Sequence, residues 1–403
     1  MTRRLVISAL PGETRAAWLE DGRLADLVVR RADRPSHLGD LYHGRVAKVD
    51  KALDAAFVEL GLARPGLLPL SEGPGRRLSE GDAVVVRVLR EAAGGKGLRL
   101  SARIKDPPPD LEERARGARP PALLLKGDDP LERVLAARAL PDEIVVDDPG
   151  THAEIKARLA GRGDVPAEGV RLDLDPAPLF EREGLEGEIE ALLEPRVELP
   201  SGGHLLVEPV RTLIAIDVNS GRHDGRGTAP EQALAVNLEA AAEVPRQLRL
   251  RALSGLIVID FLALPEGGPR RQVAAALRAG LKDDPEPTRV EAMAASGLVE
   301  LTRRRGRPAL HELLTGPCGI GGGGRVKDPA TLAFEALRAV RREAAARPEA
   351  AVTLGAAPAV IAALETGPAA AARQALEARL GRPLALVNEV AAPGEPAEIV
   401  LET

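Results

Sequence analysis

Two apolar runs each end in an aspartate: Ile214-Ala215-Ile216-Asp217 and Ile257-Val258-Ile259-Asp260. Both read as strands buried on two faces, and a carboxylate desolvated there is costly unless it is paired, hydrogen-bonded or bound to a metal. If the strands are neighbours, the carboxylates meet. Mg²⁺ suits such a pair, because it binds through one or two carboxylates, several waters and substrate phosphate oxygens. Asn219 shares the Asp217 face of an extended chain, within reach of a metal-bound water or a phosphate. A strand-end aspartate also commonly caps the turn after it, and spacing alone leaves both readings open.

Between the two runs lies an amphipathic helix, Glu231 to Glu243, followed by Arg246, Arg249 and Arg251. Cations gather favourably at a helix C-terminus. The three arginines read either as a solvated basic face or, beside paired acids, as a clamp for a polyphosphate backbone.

The elements around this centre are legible in outline. Leu5 to Ile7 is a strand, and Ala16 to Val29 holds two apolar runs about the turn signal Glu20-Asp21-Gly22. Short strands then recur at Gly44 to Val46, Ala55 to Val58, Gly66 to Leu70, Ala83 to Leu89 and Leu98 to Ala102, which suggests a small barrel. Pro107-Pro108-Pro109 and the charged run Asp110 to Arg116 predict a stiff, solvated connector. A helix at Pro130 to Ala139, a strand at Glu143 to Asp147 and a helix at Ala153 to Leu159 alternate as in an α/β sheet. Strands are expected at Leu205 to Val210, Leu213 to Val218 and Gly255 to Leu264. Gly321 to Gly324 predicts a flexible linker before a small terminal α/β unit with a helix at Thr331 to Ala346.

Composition sets the limits. The 403 residues are 44% hydrophobic and 29% charged, which fits several globular domains, and with 1% aromatics the cores must be aliphatic. A net charge of −5 gives no global basic field, so a polyanion would have to be met locally. One cysteine, Cys318, permits no intrachain disulfide and points to the cytoplasm. No run of about 18 apolar residues predicts a membrane span, and no leader is read.

Asp217-Val218-Asn219-Ser220-Gly221, Asn237-Leu238-Glu239-Ala240-Ala241, Arg246-Gln247-Leu248-Arg249-Leu250-Arg251 and Gly255 to Phe261, in that order, resemble the catalytic core of the ribonuclease E/G family. Gly44-Arg45-Val46, Ala55 to Val58, Gly66 to Leu70, Glu80-Gly81-Asp82 and Gly95-Lys96-Gly97 resemble its RNA-binding module. The resemblance implies a mixed α+β multidomain chain: a split ribonuclease-H-like subdomain (1–36 and, with a connector, 105–192), an inserted OB-type β-barrel (37–104), a deoxyribonuclease-I-like catalytic subdomain (193–315), a glycine-rich linker (316–327) and a small C-terminal α/β domain (328–403). It further implies a Mg²⁺-dependent endoribonuclease in which Asp217 and Asp260 bind the metal and Asn219 assists. The products would carry 5′-phosphate and 3′-hydroxyl ends. Single-stranded RNA would be held by Phe57, Leu67 and Lys96 of the barrel and by Arg246, Arg249 and Arg251. The rival reading is an RNA-binding regulatory protein of the same fold with little cleavage.

The departures from the family pattern are specific. Leu67 stands where an aromatic is common, and Phe57 itself reads equally as barrel core. The stretch from Arg103 to Ala122 is too short and too rich in proline for the family's 5′-end sensor. Cys318-Gly319-Ile320-Gly321 keeps one cysteine of a pair, so zinc is not expected, and any homo-oligomer would lack a zinc link.

Overall fold

The computed structural model describes residues 2–92, 97–127, 129–138, 140–160, 169–221, 228–318, 324–390 and 392–402. At the N-terminus, β1 (Arg3–Leu10), β2 (Glu13–Glu20) and β3 (Arg23–Arg31) form an antiparallel meander, and its second turn falls at Asp21-Gly22. Both turn residues have positive φ, 49° and 79°, as a tight hairpin turn requires.

The barrel follows. β4 (Leu41–Asp50), β5 (Ala55–Glu59), β6 (Gly66–Pro69), β7 (Ala83–Arg90) and β8 (Arg99–Ser101) run in the order β5-β6-β8-β7-β4, and pairing of β5 with β4 closes the ring. Alternate residues Val46, Val58, Leu68, Val86 and Leu100 fill it. The expected solvated connector instead contains α1 (Leu111–Gly117), since Leu111 gives that charged run one apolar anchor, buried against Leu41 and Leu124. β9 (Ala122–Leu125) then pairs with β4, so the barrel's hydrogen bonding continues past residue 104.

After α2 (Pro130–Ala137), β10 (Glu143–Val146) lies parallel to β1; α3 (Pro149–Ala160) leads to β11 (Val170–Leu172), parallel to β10. The sheet order becomes β11-β10-β1-β2-β3, and the barrel is an insertion into it. Trp18, Leu5 and Ile7 pack on one face, and Val6, Val145 and Phe180 on the other. Phe180 belongs to α4 (Leu179–Arg182), which precedes α5 (Leu185–Ala191).

A second sheet contains β12 (Arg196–Glu198), β13 (His204–Pro209), β14 (Ile214–Asn219), β15 (Gly255–Asp260), β16 (Thr288–Val290) and β17 (Leu298–Arg303) in the order β12-β13-β14-β15-β17-β16. Only β14 and β15 pair in parallel, joined through α6 (Ala229–Leu250); α7 (Gly268–Gly280) follows β15. Val236, Ala240, Val244 and Leu248 of α6, at helical spacing, pack on Ile216, Val218, Ile257 and Ile259. Each buried aliphatic there contributes about 1.5–3 kcal/mol relative to exposure. The helix runs beyond its expected end at Glu243 and through Pro245. Gly280 of α7 packs on that proline, where a Cβ would come within 2.8 Å of its ring.

α8 (Leu310–Leu314) precedes a hairpin of β18 (Thr315–Pro317) and β19 (Arg325–Lys327). The expected glycine linker is therefore flanked by paired strands, closed by Cys318 N–H donating to the Gly324 carbonyl at 2.8 Å; Gly321 to Gly323 lie outside the described residues. The terminal unit comprises α9 (Pro329–Ala346), β20 (Ala351–Ala356), α10 (Pro358–Glu365), α11 (Ala370–Leu380), β21 (Ala385–Asn388) and β22 (Glu398–Glu402). Arg338 reaches Glu13 at 2.7 Å and Arg341 reaches Asp147 at 3.1 Å, which ties α9 to the first sheet. Among the described residues, no helix is long and apolar enough to cross a membrane.

Candidate active site

β14 and β15 bring the two acids together: Asp217 and Asp260 are direct register partners. Neighbouring strands lie about 4.8 Å apart, so their carboxylates project side by side from one face. That face is open. Ile214, Ile216 and Val218 alternate toward α6, as do Ile257 and Ile259, whereas both aspartates are exposed. The expectation of strands buried on both faces is thus corrected. Ala215 and Val258 look like core residues in the sequence but lie half-buried on the solvent side.

Asn219 shares this face, and its Nδ2 donates to Asp217 Oδ2 at 2.7 Å. The strand end is held tightly from behind. Gly221 has φ of 68°, and a Cβ there would come within 2.2 Å of the Gly202 carbonyl. Among the described residues neither aspartate forms an ion pair, and no group of three or more His, Cys, Asp or Glu is placed to hold a metal ion. Two oxygen-donor carboxylates without a basic partner fit a hard cation that keeps most of its waters. They do not make the closed four-ligand site of a structural zinc.

Asn237 braces the carboxylate strand from behind. It is fully buried in α6; its Nδ2 donates to the Leu262 carbonyl at 2.8 Å and its Oδ1 accepts from Leu262 N–H at 3.0 Å. The chain leaving Asp260 is thereby fixed two residues on. Glu239, on the same helix, accepts from Ser201 N–H at 3.0 Å and anchors the loop before β13. A lone Asn amid the apolar positions of an amphipathic helix is the signal the sequence offers.

The three arginines do not join the carboxylates. They sit at the far end of α6, on the helix-covered side of the sheet. Arg246 donates to the Leu24 carbonyl at 2.7 Å and to Glu243 at 2.7 Å; Arg249 donates to the Gly280 carbonyl at 3.2 Å; Arg251 donates to Gln247 at 2.8 Å and to the Glu194 carbonyl at 2.6 Å. Burial pushes the Arg251 guanidinium down to about 10 and lowers that of Arg249 as well. Their reading as a phosphate clamp is corrected to an internal dock, which binds α6 to the start of β3 and to neighbouring segments. Helical spacing alone could not show that a sheet covers that face.

On the barrel, Phe57 and Leu67 are register partners, both half-buried and on the outer face, while Ala56 and Val58 point inward. Lys48 continues the row beyond Phe57, and Arg99 beyond Leu67. An apolar pair flanked by two cations is thus presented outward. Lys96 lies outside the described residues. Cys318 is half-buried and is the chain's sole cysteine.

Comparison with known proteins gives a match to the model of the ribonuclease E/G family over residues 80–306. The chain is 28% identical to ribonuclease E of Escherichia coli K12 over 85% of its own length and 41% of that protein. It is 29% identical to ribonuclease G of Haemophilus influenzae, covering 84% of this chain and 87% of the relative, and 26% identical to ribonuclease G of Escherichia coli K12, covering 85% and 88%. The chain therefore spans less than half of the ribonuclease E sequence but most of the ribonuclease G sequences.

Proposed function

The chain belongs to the ribonuclease E/G family, and we propose that it is an endoribonuclease cutting single-stranded RNA at the open face of β14 and β15, in RNA processing or decay in the cytoplasm. The observation that carries this reading is the register pairing of Asp217 with Asp260 on an exposed face, with Asn219 bonded to Asp217.

Asp217 and Asp260 would hold Mg²⁺ through their carboxylate oxygens. Bound there, the cation supplies charge neutralisation at the scissile phosphate and an acidified water. Asn219 keeps one Asp217 oxygen engaged and so fixes the rotation of that carboxylate. Asn237 holds the chain after Asp260, which limits movement of the second carboxylate. Solvent exposure of the face admits the nucleophilic water. In-line attack at phosphorus expels the 3′ oxygen, which takes a proton from solvent and leaves 5′-phosphate and 3′-hydroxyl ends.

The barrel serves as the OB-type RNA platform, with Phe57 and Leu67 as its apolar face; Lys96 is assigned on sequence alone. The sheet β11-β10-β1-β2-β3 is the split ribonuclease-H-like subdomain around it. The six-stranded sheet with α6 and α7 is the deoxyribonuclease-I-like subdomain. Incubation of the purified protein with an end-labelled, unstructured RNA tests the assignment: internal cuts that need Mg²⁺ and stop with EDTA are expected, whereas intact RNA under all divalent conditions refutes it.

A further inference from the structure

Most arginines of this protein are occupied by carboxylates or carbonyls, and three exposed ones that face one cleft are not. The cleft, of about 710 Å³, separates the barrel from the N-terminal ends of β14 and β15. Arg90 and Arg99 line it from the barrel side and Arg211 from the β13–β14 turn. Among the described residues none of the three guanidiniums donates a hydrogen bond or forms an ion pair. The acids nearby are already satisfied: Glu91 accepts from Ser36 and from the His37 and Leu38 N–H groups, and Glu312 pairs with Arg305. The cleft is therefore locally cationic in a chain of net charge −5.

Its floor is apolar and accessible. Val210 is 47% exposed and Leu256 is 40% exposed, and both line the same cleft as Leu67. Leu67 is the register partner of Phe57 on one side and of Arg99 on the other. Leu256 lies on the same face of β15 as Asp260, four residues earlier, or about 13 Å along the strand. Leu67 thus joins the cleft to the outer face of the barrel, and Leu256 places it on the strand face that carries Asp260.

We infer that this cleft is a further RNA-binding subsite, in which Arg90, Arg99 and Arg211 bind successive phosphates of the strand while Leu67, Val210 and Leu256 pack against its bases. Guanidiniums beside accessible aliphatics match the alternation of phosphate and base in an unpaired polynucleotide. The inference rests on the ribonuclease reading above and adds where the strand runs between platform and scissile bond. It also supplies contacts in place of the aromatic that Leu67 replaces.

The test is direct binding, without cleavage. A labelled, unstructured RNA of about 20 nucleotides, longer than one OB-barrel site, is titrated in EDTA against the full chain, the Arg90→Gln/Arg99→Gln/Arg211→Gln triple variant and Arg211→Gln alone. Each single-strand phosphate contact contributes about 0.7 to the salt slope, so the triple variant should lose about 2 from the slope of log affinity against log salt, and the single variant about 0.7. At moderate salt the triple variant should bind at least tenfold more weakly. Arg211 lies on an exposed turn, so the single variant decides if the triple one misfolds. Unchanged slope and affinity overturn the inference and leave the cleft to some other partner, such as an acidic protein segment. Cleavage of the same RNA by the unmodified chain in Mg²⁺ is scored separately: arginine-dependent binding without cutting refutes the nuclease reading alone, and cutting with arginine-independent binding refutes the subsite alone.

Discussion

Replacing Asn237 with Ala should damage the active site without touching either carboxylate. The side chain is fully buried and makes two hydrogen bonds, both to the backbone of Leu262. Truncation deletes both and leaves the half-buried Leu262 N–H and carbonyl without this partner, at about 0.5–1.5 kcal/mol for each lost bond. A loss of about 1–3 kcal/mol in stability follows. Leu262 is two residues from Asp260, so release of this clamp also loosens the second carboxylate. Misplacement by about 1 Å costs around 10²-fold in rate. The expected result is therefore kcat lowered by about 10–10²-fold at saturating RNA, with KM nearly unchanged and more Mg²⁺ needed for half-maximal activity. Asn237→Asp keeps the acceptor but places carboxylate oxygen against the Leu262 carbonyl, so it should fail as badly. Assays run well below the melting temperature, with folding checked by circular dichroism, separate the two effects. A destabilised Asn237→Ala protein with undiminished kcat would show that the clamp serves the fold and not the carboxylate.

Three further outcomes are expected. Phe57→Ala with Leu67→Ala should weaken RNA affinity by about 1–3 kcal/mol, the worth of one stacked base, and leave kcat at saturation nearly intact; unchanged affinity in fluorescence titrations would remove the barrel face from the RNA path. RNAs bearing 5′-hydroxyl, 5′-monophosphate or 5′-triphosphate should be cut at similar single-turnover rates, because α1 occupies the short Arg103 to Ala122 stretch; a tenfold preference for the monophosphate, about 1.4 kcal/mol, would reveal a sensor elsewhere. Asp26 is fully buried; burial pushes its carboxyl up, but Arg307 and Arg138 outweigh that and hold it below the usual range. Its stabilisation is thus present above about pH 4, the unfolded value, and is lost as pH falls through the lower folded value. Urea unfolding of Asp26→Asn should show weaker stability at neutral pH and a flatter acid limb, and an unaltered limb would refute that role.

The sequence made the strands and the acid pair legible because both depend on local pattern. The apolar runs that form β13, β14 and β15 and the Asp-Gly turn before β3 need no knowledge of neighbours. What stayed hidden depended on packing. Ala215 and Val258 gave each run a fully buried appearance, since small and aliphatic residues are tolerated on a half-open face. Arg246, Arg249 and Arg251 looked like a solvated stripe because nothing in their spacing indicates that Leu24 and Glu194 offer carbonyls opposite them. Leu111 was too little apolar signal to mark a helix among charges. The Gly321 to Gly324 run read as a linker although Thr315 to Pro317 and Arg325 to Lys327 pair across it.

Cleavage by the Asp217→Asn and Asp260→Asn variants bears most directly on the proposed chemistry. Each change removes one charge from the register pair and almost no volume. With folding and RNA affinity in EDTA matched to the unmodified chain, both variants should lose Mg²⁺-dependent cutting of an unstructured RNA, by at least 10²-fold in single-turnover rate. Cleavage retained at the original rate in both would mean that the carboxylate pair of β14 and β15 is not where the phosphodiester is cut.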